Sequence, residues 1–92
     1  MPRYLIELAH GDEHDACVRA LQSIEQHGSH FLTQADWGCK DGEHCGWMIV
    51  DLDSRGEALQ LVPPEYRQEA RIVKLNRFTK AQIASLIAEL EG

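Results

Sequence analysis

Apolar and polar residues alternate near the start of the chain, where Tyr4, Ile6 and Leu8 share one face at period two, as a half-buried strand requires. The period then lengthens. Cys17, Ala20, Leu21 and Ile24 recur at helical spacing behind a cap at Gly11 or Asp12, with Glu13 and Asp15 suiting the positive helix end and Gly28 stopping the run. A helix over 13–27 is predicted. Two strands follow, 29–39 and 43–51, around Asp41-Gly42, a pair that tolerates the positive φ angles of a two-residue type I′ turn. The second is apolar on both faces through Trp47, Met48, Ile49 and Val50, as a central strand is. Ser54 and Glu57 have capping-box spacing ahead of Ala58, Leu59, Leu61 and Val62, and Pro63-Pro64 must end that helix because proline lacks the amide donor. A short turn over 65–70 leads to a fourth strand over 71–78. Thr79 then caps a last helix whose Ile83, Leu86, Ile87 and Leu90 form one stripe.

The resulting order, β-α-β-β-α-β plus a C-terminal helix, predicts one α+β domain over 1–92, ferredoxin-like, with a four-stranded antiparallel sheet in the order 4-1-3-2. In that topology the end of strand one, the start of helix one and the strand 2–3 hairpin fall at one edge of the sheet. His10, His14, Cys39, His44 and Cys45 are gathered there. Counting back from a two-residue loop pairs Cys39 with His44 and Asp36 with Trp47, and opposed β-carbons lie about 4.5–5.5 Å apart. Cys39 and His44, completed by His10 or His14 with Cys45 nearby, are therefore candidate ligands for Zn, Ni or Cu. Cys17, on the apolar stripe of helix one, reads as core, and His27, in that helix's last turn, as a partner of the helix dipole.

With Tyr4, Ile6, Leu8, Met48 and Val50 turned to the helices, the opposite sheet face presents Leu5, Glu7, Leu32, Asp36, Trp47 and Ile49. A wholly solvated face has no use for so many apolar groups, so this one is expected to meet a second copy in a homodimer or to line a small-molecule cleft. Asp36 and His30 are the catalytic candidates of that second arrangement.

Charge narrows the partners. Fifteen acidic against nine basic side chains, net −6, argue against nucleic acid, which demands clustered Lys and Arg. The longest apolar run, Trp47 to Val50, is far too short for a membrane span. Three cysteines, an odd number, without a secretory signal point to a reducing, cytoplasmic setting in which thiols stay free or bind metal. No phosphate loop, nucleophile elbow or zinc-protease motif occurs, and Cys-x5-Cys is not a recognised zinc spacing, so the residues leave enzymatic activity open. They favour a small homodimeric protein binding a transition metal or small ligand near the hairpin, ahead of an enzyme using the open sheet face or a pure interaction module.

The opening Met1-Pro2-Arg3-Tyr4-Leu5-Ile6-Glu7, the short strands about the hairpin and the helix-then-strand layout of 53–72 resemble small, uncharacterised dimeric α/β-barrel proteins, some described as nickel-binding. The likeness spans 1–78 in layout and the opening in letters. It implies the ferredoxin-like fold and a dimer, and for the enzymatic alternative it implies a dimeric α/β-barrel isomerase or cofactor-free monooxygenase using the open sheet face. The Asp36-Trp37-Gly38-Cys39 hairpin and the C-terminal helix depart from that group, so it transfers no site residue.

Overall fold

A computed structural model describes residues 1–11, 15–27 and 34–92. Strand β1 (Arg3–Ala9) alternates as its sequence requires, Tyr4, Ile6 and Leu8 being buried and the odd positions half-buried. It lies between β3 (Cys45–Asp51) and β4 (Arg71–Leu75), antiparallel to both, and β2 (Asp36–Trp37) pairs with the outer side of β3. The strand order is β2-β3-β1-β4, which read from the β4 edge is 4-1-3-2. Helix α1 (Ala16–His27) lays Ala16, Ala20 and Ile24 against the sheet, and α2 (Arg55–Gln60) adds Ala58. Tyr4, Ile6, Leu8, Ile24, Met48, Ala58 and Val62 form the core.

The caps follow the sequence. Ser54 Oγ accepts from the Glu57 amide at 3.2 Å while the Glu57 carboxylate accepts from the Asp53 amide at 3.0 Å, and a short 3-10 turn, Pro64–Tyr66, takes over after the prolines. His27 sits in the last turn of α1, where its Nε2 donates to the Gln60 carbonyl at 3.0 Å and ties α1 to the end of α2. The fourth strand stops at Leu75 rather than 78, because Leu75 already faces Arg3, the first residue of β1, and beyond it the ladder has no partner.

The hairpin departs most from expectation. Its register is the expected one, Asp36 opposite Trp47, but Cys39–Asp41 form a 3-10 turn closed by Gly42 at φ 86°. A type I′ turn needs positive φ at both central residues, and Asp41 does not adopt it. Instead the amides of Asp41 and Glu43 both donate to the Gly38 carbonyl, at 2.9 and 3.0 Å, making a four-residue loop. Cys39 and His44 are consequently not cross-strand neighbours, and the third strand begins at Cys45 rather than 43. Of the long second strand expected over 29–39, only Asp36–Trp37 pairs; Gln34 has helical backbone, and 29–33 lie outside the described residues. The predicted start of α1 and its Gly28 stop lie outside them too.

Helix α3 (Lys80–Glu91) carries the expected box: Thr79 Oγ1 accepts from the Gln82 amide and the Gln82 side chain accepts from that of Thr79. It buries nothing. The radius of gyration, 16.5 Å, exceeds the roughly 12 Å of a compact chain of this length, because α3 projects from the body with Ile83, Leu86, Ile87 and Leu90 uncovered. No helix among the described residues is long and apolar enough to cross a membrane.

Candidate metal centre

The site grows from where β1 ends. Alternation turns residue 10 toward the helix side, and the His10 amide donates to the His44 carbonyl at 3.1 Å, extending the β1–β3 ladder by one bond. His10 is buried, 8% exposed. Its Nδ1 lies 2.8 Å from the Gly11 carbonyl, which can only accept, so Nδ1 carries a proton and in the neutral ring Nε2 presents a lone pair. That nitrogen is 3.0 Å from Cys39 Sγ. The 3-10 turn aims Cys39 back at α1, where the Cys17 thiol donates to Cys39 Sγ at 2.9 Å. The three groups form one relay: Cys17 S–H to Cys39 S, Cys39 S–H to His10 Nε2, His10 Nδ1–H to backbone.

These donor atoms, His10 Nε2 and the two sulfurs, lie within 4.8 Å of one another, and the group could hold a metal ion. Two thiolates and an imidazole suit Zn(II) or Cu(I) better than hard cations. An ion with M–S of about 2.3 Å and M–N of about 2.0–2.1 Å in tetrahedral geometry sets the sulfurs ~3.8 Å apart, so filling the site spreads Cys17 and Cys39 by under about 1 Å. The carbonyl that fixes the His10 tautomer is the outer partner that ligating histidines ordinarily have. Beside His10 a shallow pocket of about 210 Å³, lined by Gly11, Ala16, Arg19 and Tyr66, opens to solvent. Burial, then the Cys39 hydrogen bond, pushes the Cys17 thiol up to about 11, so an incoming ion must displace its proton.

The aromatic surround is tightly built. Trp37 stacks toward His10 with ring centroids 6.5 Å apart and covers Gly46, where a β-carbon would sit 2.6 Å from the indole. Gly38 is confined in the same way, since a β-carbon there would sit 2.9 Å from the Glu43 carbonyl oxygen.

The residues singled out from sequence therefore separate. His10 and Cys39 meet, joined by Cys17, which sequence reasoning gave to the core. His44 stands edge-on to His10, ring centroids 5.5 Å apart, outside the donor group. Cys45 lies on the other sheet face, buried, its thiol donating to Glu7 Oε1 at 3.4 Å; burial and that carboxylate push it up to about 11. His14, His30 and Leu32 lie outside the described residues.

On the open face Leu5, Glu7, Trp47 and Ile49 sit together as expected, with Ile49 58% exposed and Asp36 opposite Trp47. Two ion pairs cross it, Arg3–Asp51 at 3.7 Å and Arg71–Glu7 at 3.5 Å, both too exposed to contribute much. An open groove of about 620 Å³ lies at its far end, against Arg3, Ile49, Asp51, Leu75 and Arg77, away from Asp36 and Trp47.

No family model, curated protein or solved structure matches this chain. The functional reading rests on the site itself.

Proposed function

We propose that this protein is a ferredoxin-like metal-binding protein whose ligands are His10, Cys17 and Cys39. One observation carries the reading: three donor atoms from β1, α1 and the hairpin converge within 4.8 Å, with the imidazole lone pair already oriented by a backbone carbonyl. A buried histidine beside two thiols has no packing role that an apolar residue would not fill better. Zinc is the first candidate, with copper(I) and nickel after it, because thiolate-rich sets favour late and thiophilic ions. Three protein ligands leave a position for water or an exogenous group. The test is elemental analysis of protein purified without chelators, followed by titration of metal-free protein with Zn(II), Ni(II) and Cu(I). One equivalent, bound with quenching or shift of tryptophan emission as His10 is drawn away from Trp37, is expected; absence of stoichiometric binding to all three overturns the reading.

The assembly we propose is a homodimer. A helix of twelve residues that buries nothing is marginal alone in water, so α3 needs a partner. Phe78, Ile83, Leu86, Ile87, Leu90 and the sheet residue Ile49 are 45–89% exposed. Two copies laying α3 across each other's open face would cover these side chains, as an interface of the usual roughly 1,200–2,000 Å² requires. Sedimentation at micromolar concentration is expected to give a dimer, and Leu86→Asp a monomer; a wild-type monomer overturns the assembly.

A further inference from the structure

Cys17 and Cys39 face each other at a sulfur separation of 2.9 Å, both half-buried rather than sealed, with His10 Nε2 3.0 Å from Cys39 and the small pocket opening beside that imidazole. Such an arrangement holds an attacking thiol, a base for its proton and a resolving thiol within reach of one another. We propose that Cys17 and Cys39 form a redox-active dithiol that low-molecular-weight disulfides oxidise to an intramolecular disulfide, expelling any bound metal. The metal-release half rests on the function proposed above; the dithiol half does not.

The chemistry closes on groups present. Cys39 gives its proton to His10 Nε2 and attacks one sulfur of the small disulfide, so a mixed disulfide forms and one thiolate leaves, taking up that proton. The Cys17 sulfur then attacks Cys39 Sγ, forming the Cys17–Cys39 bond and releasing the second small thiol, which takes the Cys17 proton. Two protein S–H groups are oxidised and one small disulfide is reduced to two thiols. From the loaded site the same exchange removes two of three ligands, and His10 alone does not retain an ion. Cys45 takes no part, because β-strand alternation places it with Glu7 on the opposite face of the sheet.

The test incubates metal-free and zinc-loaded protein with oxidised glutathione, blocks remaining thiols by alkylation, and reads intact mass, peptide map and zinc released to a chromogenic chelator. Expected are a Cys17–Cys39 linked peptide, one alkylated thiol of the three, at Cys45, and zinc release in step with the link, all reversed by dithiothreitol. Cys45→Ser should form the same link, and Cys17→Ser should stop at glutathione attached to Cys39. A wild-type protein that keeps three free thiols, retains glutathione at Cys39 or links through Cys45 overturns the dithiol. Retention of zinc after the link forms overturns the release. Metal-free protein that forms the link yet never binds zinc leaves the dithiol supported and removes the metal function instead, so the two failures are distinct.

Discussion

Serine in place of Cys39 is expected to abolish stoichiometric zinc binding, whereas serine in place of Cys45 leaves it intact. Cys39 is the central donor, at 3.0 Å from the imidazole and 2.9 Å from the second thiol, and its loss leaves His10 and Cys17 without the atom that joins them. A serine hydroxyl has the size of the thiol but does not deprotonate at neutral pH, so it substitutes poorly as a ligand. Loss of an outer partner alone costs about 10–100-fold in metal affinity, and loss of a direct ligand is expected to exceed that. Competition against a chromophoric chelator measures the affinity, and cobalt substitution should lose its thiolate-to-metal absorption only in the Cys39 variant. Equal affinity for zinc in Cys39→Ser and wild type, both folded by circular dichroism, would remove Cys39 from the site. The Cys45 arm separates a ligand effect from a general cysteine effect, since Cys45 is the more buried of the two and points to the other face.

Period and punctuation in the sequence specify most of the architecture. The β1 alternation, the apolar β3, the Ser54 cap, the Thr79 capping box and the proline stop are local signals obeyed locally, and even the Asp36–Trp47 register follows from counting back from the turn. The turn itself was less legible. Asp41-Gly42 needs only one positive φ here, at Gly42, and a 3-10 turn closing on the Gly38 carbonyl satisfies the same sequence. That change moved Cys39 from a partner of His44 to a partner of α1.

Cys17 escaped sequence reasoning for a related cause. A cysteine on an apolar helical stripe packs like a small hydrophobe, and one sequence holds no sign that a thiol and an imidazole will converge on it. The usable clue was topological: Cys17 occupies the first turn of α1, the helix end that shares an edge with His10 and the hairpin. The opposite limit applies to α3, whose stripe is plain in the letters. Whether it folds back on its own sheet depends on the geometry of the 76–79 connection, and in the structure it does not.

The pH dependence of the site should be steep, and its sign differs between the metal-free and loaded protein. Burial and the Cys39 hydrogen bond hold the Cys17 thiol at about 11 against an ordinary 9.0, so across pH 6–8 it is protonated and an ion must displace that proton. Displacement of that proton changes affinity about tenfold per pH unit. Affinity should therefore rise from pH 6 to 8 and fall on acidification; a flat profile would show that thiolates are not the ligands. In metal-free protein the linkage runs the other way. A thiol raised from 9.0 to about 11 in the fold stabilises it fully below pH 9, and that stabilisation is lost as pH climbs through 11. Cys17 and Cys45 both contribute, each at up to ~1.4 kcal/mol per pH unit and less for the half-buried Cys17. Thermal melts from pH 7 to 10.5 should show the metal-free midpoint falling above pH 9 while the zinc-loaded midpoint, with Cys17 already ionised at the metal, falls less. Cys17→Ser should shallow the metal-free decline without removing it, because Cys45 still titrates on the other face of the sheet.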